Sequence, residues 1–211
     1  MDKIHLYSEY EEKLNTISHL TGAVLAFVGI ILMLVKVINS PFNIIFATSV
    51  FTVLTFSVYL FSTIYHATKD IEKKIFWQKI DHTMVSLIIL GTATPILMII
   101  SSGTFATVML VLVVIVTIVN VILNLINVKK FKRYSLVLYF LGVCFLVLGL
   151  AVGVKIIRTG FILLMLSSLV VLVFGSCCYM MKSREYTHFI WHITDILCSA
   201  LHFLAIYLFI I

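Results

Sequence analysis

The stretch FATVMLVLVVIVTIVNVILNLINVKKFKRYSLVLYFLGVCFLVLGLAVGV, residues 105–154, sets two long apolar runs on either side of the basic cluster Lys129, Lys130, Lys132 and Arg133. A helix of about 20 apolar residues crosses a hydrocarbon core of roughly 30 Å, so the stretch reads as two membrane spans joined by a short basic loop. The same alternation of apolar run and charged junction continues in both directions. It gives helices near 16–36, 42–66, 80–101, 105–126, 134–154, 160–181 and 187–211. Of the 211 residues 62% are hydrophobic and 11% charged, and the mean hydropathy is +1.18. That is more apolar surface than one soluble core can use. The expectation is an all-α integral membrane protein, a single seven-helix bundle over residues 1–211 with no room for a soluble domain.

The segment MDKIHLYSEYEEKLN precedes an apolar run longer than a signal-peptide core and without a small-residue cleavage pattern, so the first helix reads as retained. Pro95 lies inside the third run, where neighbouring helices must satisfy the carbonyl it frees. Cys144, Cys177, Cys178 and Cys198 all fall in apolar segments without C-x-x-C spacing, which argues for packing and against a disulfide framework or thiolate metal site.

Basic residues in short loops stay on the cytoplasmic side. One set of junctions holds Lys3, Lys13, Lys69, Lys73, Lys74, Lys79, Lys129, Lys130, Lys132, Arg133, Lys182 and Arg184. The other holds only Lys36, Lys155 and Arg158. This asymmetry places the N-terminus in the cytoplasm and the C-terminus outside. The net charge of +6 is accounted for by a basic face against anionic headgroups, without nucleic acid as a partner.

With that topology the titratable residues share one depth. His66 ends the second helix, Asp81 and His82 open the third, His188 and His192 open the seventh, and His19 lies early in the first. His192 is only ~8 Å deeper than Thr187, whereas His202 is ~22 Å deeper and belongs to another layer. A histidine near a helix end commonly just reaches the headgroups, and His5, before the first helix, is expected to face solvent. Convergence from four helices argues for more. His188 and His192 stand four apart on one helix face, the spacing that lets two imidazoles hold one metal. The Ser62-x-x-x-His66 pattern offers a third ligand, and three histidines leave a tetrahedral zinc one position for water. Asp81 is then a candidate outer or water-bridging group. His202 is expected to bond between helices. Three roles are open to Asp195: touching the metal, orienting a ligand, or pairing as a protonated carboxyl with a neighbouring helix. The last two are favoured over direct ligation.

The motifs E-E-K-L-N-T-I-S-H-L-T-G, S-T-I-Y-H-A, K-I-D-H-T, G-T-A-T-P, H-F-I-W-H and A-L-H-F, in that order at helix ends, give a pattern that resembles the bacterial hemolysin III branch of the progestin and adipoQ receptor family, related to adiponectin receptors and alkaline ceramidases. The resemblance extends over essentially the whole chain. It implies seven helices with a cytoplasmic N-terminus and a zinc on His66, His188 and His192. It further implies that Asp81 meets the zinc through water, that Ser62 is the serine of the S-x-x-x-H motif, and that Asn15 and His19 fill characteristic positions of undefined role. Asp195 departs from the pattern, standing where an apolar or small residue is expected.

Two functions follow as expectations. One is a zinc-dependent hydrolase of lipid amide bonds near the cytoplasmic leaflet, with Asp81 taking the proton of water and Ser62 holding the oxyanion or the water. The other is a nonenzymatic sensor or regulator of membrane state with a structural zinc. A pore-forming cytolysin is disfavoured because seven near-continuous apolar helices offer no soluble form. An ion transporter is disfavoured because the polar groups gather at one end, with only Asp195 and His202 beyond. The expected location is the cell membrane, with membrane lipids as partners or substrate; the oligomeric state is left open.

Overall fold

The computed structural model describes residues 7–101, 103–153, 158–181 and 184–211. His5 and the basic residues Lys3, Lys155 and Lys182 lie outside the described residues, and so does the expectation that His5 faces solvent.

The described residues form helices and short connections without strands: α1 Glu9–Val37, α2 Phe42–Ala67, α3 Ile71–Pro95, α4 Thr104–Gly153, α5 Thr159–Met180 and α6 Thr187–Phe209, with a π-helical turn, Ile96–Ile100, prolonging α3. Among the described residues, six helices are long and apolar enough to cross a membrane. Their exposed side chains are apolar, for example Leu25, Val28, Phe140 and Val170, as lipid requires and water would penalise.

Two helices begin earlier than hydropathy indicates. α1 starts at Glu9 instead of near residue 16, and α3 at Ile71 instead of near 80. Local capping explains both. Ser8 Oγ accepts from the Glu11 N–H at 3.2 Å, and Asp70 Oδ1 accepts from the Lys73 N–H at 2.9 Å. Such caps start a helix in polar sequence, whereas hydropathy finds only the part compatible with lipid.

α4 runs for 50 residues with a non-helical backbone at Asn127 (φ −162°, ψ 103°). Its limbs, 104–126 and 128–153, fold back on each other. Asn120 Nδ2 donates to the Ser135 carbonyl at 3.2 Å, Ser135 Oγ donates to Asn124 Oδ1 at 3.0 Å, and Asn124 Nδ2 donates to Tyr139 Oη at 3.3 Å. Positions 120 and 135 would be ~22 Å apart on a straight helix. Asn127 Oδ1 accepts from the Lys130 N–H at 2.9 Å and so caps the second limb.

Pro95 leads into the π turn, which ends where Ser101 Oγ donates to the Gly149 carbonyl at 2.9 Å. Leu97 packs so closely that a Cβ at Gly149 would overlap it. Ile96, Leu97, Met109, Val113 and Phe161 form the core of this half. At the other end α1 lies between α2 and α6. That contact combines apolar Ala23, Val58, Tyr59, Met33, Phe51 and Ile206 with the buried polar side chains Asn15, Ser18, His19, His66 and His192.

Candidate metal centre

His66 occupies the last turn of α2, and His188 and His192 the first two turns of α6. His188 Nε2 lies 3.3 Å from His66 Nε2 and 3.2 Å from His192 Nε2. One nitrogen from each of the three falls within 4.8 Å of the others. All three rings are buried.

Their outer nitrogens decide what the inner ones present. His66 Nδ1 lies 2.7 Å from Glu12 Oε2, and a carboxylate can only accept, so this nitrogen carries the hydrogen. His192 Nδ1 lies 3.2 Å from Ser18 Oγ. The Ser18 hydroxyl donates its one hydrogen to the Asn15 carbonyl at 2.9 Å, so it accepts from His192. Neutral rings in these tautomers turn Nε2 lone pairs toward one point, where His188 Nε2 also lies. Metal–nitrogen bonds of about 2.0–2.1 Å in tetrahedral array set ligand nitrogens about 3.3 Å apart, so the donor set fits a cation such as zinc.

The surrounding chain fixes the ligands. Lys74, which sequence reading assigns to a loop, is buried. Its Nζ donates to the carbonyls of Tyr65, His66 and Thr68 at 3.2, 3.3 and 3.2 Å and pairs with Glu12 Oε1 at 2.9 Å. It therefore caps α2 and holds the carboxylate that orients His66. Tyr7 stacks on His188, with ring centroids 4.7 Å apart and planes 6° apart. Burial raises its phenol above the usual tyrosine range, so it packs as a neutral ring.

The remaining candidates are placed as follows. Asp81 is half-buried at the opening of α3's apolar part, within electrostatic reach of Tyr65, Tyr179 and Asp195; it is outside the three-nitrogen set. Ser62 is buried one turn before His66. The His82 carbonyl accepts from Tyr139 Oη at 2.8 Å and Asn124 Nδ2 at 3.3 Å, tying α3 to α4. Asn15 and His19, one turn apart on α1, are buried. The His19 ring lies 3.7 Å from that of His192 between centroids. The Asp195 carbonyl accepts from Tyr59 Oη at 3.1 Å, and its carboxyl does not join the three nitrogens. His202 lies in a deeper layer, its Nε2 2.9 Å from Ser168 Oγ and its Nδ1 3.4 Å from Thr92 Oγ1.

Sequence reading overlooks Glu12, Ser18, Lys74 and Tyr7. The available signal was the acidic pair Glu11–Glu12, about two turns before His19 on a helix otherwise built for lipid.

These features define a multi-pass helical membrane protein with a buried three-histidine cluster, suited to a metal ion, at one end of its bundle. The sequence profile of the haemolysin-III-related family matches residues 7–203, and the chain belongs to that family. Hemolysin-3 of Bacillus cereus is 25% identical over 209 residues, covering 95% of this chain and 92% of that protein. The hemolysin-3 homolog of Bacillus subtilis (strain 168) is 26% identical over 190 residues, covering 89% and 88%.

Proposed function

We propose that this chain is a zinc-dependent hydrolase of lipid amide bonds in the cell membrane. The observation that supports it is the count and spacing of ligands. Three imidazole nitrogens converge at 3.2 and 3.3 Å, and among the described residues no fourth histidine, cysteine or carboxylate joins them. Structural zinc sites are typically closed by four protein ligands, whereas catalytic sites keep a position for water. Zinc bound there supplies a Lewis acid and a water acidic enough to ionise near neutrality. His66, His188 and His192 would hold the ion, with Glu12 and Ser18 fixing two of their rings, while Asp81 would accept a proton and Ser62 would hydrogen-bond the water or the oxyanion.

The same reading gives seven membrane crossings. The doubled-back α4 supports it, because 50 helical residues span ~75 Å at 1.5 Å each, more than twice the hydrocarbon core. The basic residues beside the His66 end support a centre near the cytoplasmic leaflet and a C-terminus outside.

A second reading, a membrane regulator with a structural metal, draws on Glu12 and Ser18. Through them an ion would tie α1 as well as α2 and α6. The first test is elemental analysis of detergent-purified protein, wild type against His188→Ala/His192→Ala. About one zinc per wild-type chain, lost in the double variant, supports the site, and turnover of fatty amides then separates hydrolase from regulator. No metal in either protein after zinc loading sinks both.

A further inference from the structure

We infer that the lipid-facing groove between α1, α2 and α6 holds one acyl chain of a membrane lipid, whose neutral hydroxyl or amide group is received by Asn15 and His19 beside the metal centre. The inference deepens the hydrolase reading and rests on it for the fate of that amide.

The groove encloses about 330 Å³ and follows α1 from Gly22 to Leu32. At 1.5 Å per residue this is ~15 Å, half of a roughly 30 Å hydrocarbon core and so the depth of one leaflet. Gly22, Gly29 and Ala200 make the trough, and Tyr59 and Phe203 wall it. Leu25, Val28 and Leu204 on its rim are exposed, so it opens sideways to lipid. The hydroxyls along it are turned inward. Thr52 donates to the Thr48 carbonyl at 3.0 Å, Thr55 to the Phe51 carbonyl at 2.8 Å, and Tyr59 Oη and Ser199 Oγ pair at 2.6 Å. An alkyl chain meets no polar demand there.

The inner end differs. Gly22 lies one turn from His19, and the Tyr59 ring, which lines the groove against Gly22, meets the His19 ring edge-on at 5.3 Å. Both side-chain polar atoms of Asn15 and both ring nitrogens of His19 are buried without a hydrogen-bond partner. Buried polar atoms left unpaired are costly, so this pair needs a bonding group. An amide and an imidazole each offer donors and acceptors, which matches a neutral hydroxyl or amide better than a phosphate. His19 rests on His192, so that group would sit next to the triad.

The test is photolabelling of purified full-length protein with a fatty ethanolamide carrying a diazirine in its chain, mapped by peptide mass. Labelling is done with and without zinc, and metal content is measured separately. Adducts should concentrate on the α1 and α6 residues of the groove and fall at least about fivefold in Ala200→Phe, with Gly29→Leu as a second blocking variant. In wild type, unlabelled ethanolamide should compete about tenfold better than an alkane of equal length, a preference lost in Asn15→Ala/His19→Ala. Labelling spread over all lipid-facing helices and unchanged by both blocking variants would overturn the groove assignment. Equal competition by amide and alkane in wild type would overturn the polar assignment. Zinc absent while groove labelling persists would remove the hydrolase reading and leave the lipid site standing.

Discussion

Glu12 holds two side chains in place at once. Its Oε2 accepts from His66 Nδ1 at 2.7 Å and its Oε1 pairs with Lys74 at 2.9 Å. A carboxylate behind a metal-ligating imidazole raises the ligand's basicity and fixes its ring, and loss of such a group typically weakens metal binding about 10–100-fold. Glu12→Gln is therefore expected to weaken zinc binding by about that factor in a chelator-competition titration. Asp195→Asn, whose carboxyl is outside the nitrogen set, should leave it within about twofold. Equal affinity in Glu12→Gln and wild type would reduce Glu12 to a partner of Lys74. The three histidines could be read from sequence because four-residue spacing fixes a helix face and a helix end fixes a depth. Glu12 could not, because its partner lies 54 positions away, a distance in sequence that only the packing of α1 on α2 closes.

Helices α5 and α6 approach closely where α5 carries Gly175. A Cβ there would overlap Thr194 Oγ1 and lie 3.1 Å from Trp191 Cε3, within the two turns after His188. Small residues at such crossings let membrane helices pack backbone to backbone. Gly175→Val should push α6 outward, lowering the thermal midpoint and loosening the His188–His192 pair. Asn124→Ala serves as contrast: it unties the α4 limbs by removing bonds to Ser135 and Tyr139, costs about 1–3 kcal/mol, and leaves zinc affinity unchanged. A thermal shift assay with and without added zinc separates the two. If both variants lose zinc response equally, the centre depends on global stability and not on this crossing. Apolar runs reveal such helices reliably, since lipid demands them at about 20 residues each. They show the fold-back of α4 as two runs on either side of the basic cluster, but not the polar extensions at Glu9 and Ile71, nor the hydrogen bonds among Asn120, Asn124, Ser135 and Tyr139 that tie the two limbs.

For the whole molecule, the centre joins distant parts of one chain. His66 closes α2, His188 and His192 open α6, and Glu12 and Ser18 bring in α1, so an ion bound there links three helices that the bilayer alone would leave free to slide. Binding to the folded state alone stabilises it by RT ln(1 + [L]/Kd), about 2.7 kcal/mol at a hundredfold excess over Kd. Chelation should therefore lower the thermal midpoint of wild type and have no effect on His66→Ala. The pH dependence has a definite sign. Zinc binds neutral imidazole, so protons compete for the ligand nitrogens and affinity falls as pH falls. With three imidazoles the loss should be steeper than one proton per ion. An affinity that does not fall as pH falls would contradict a three-histidine centre.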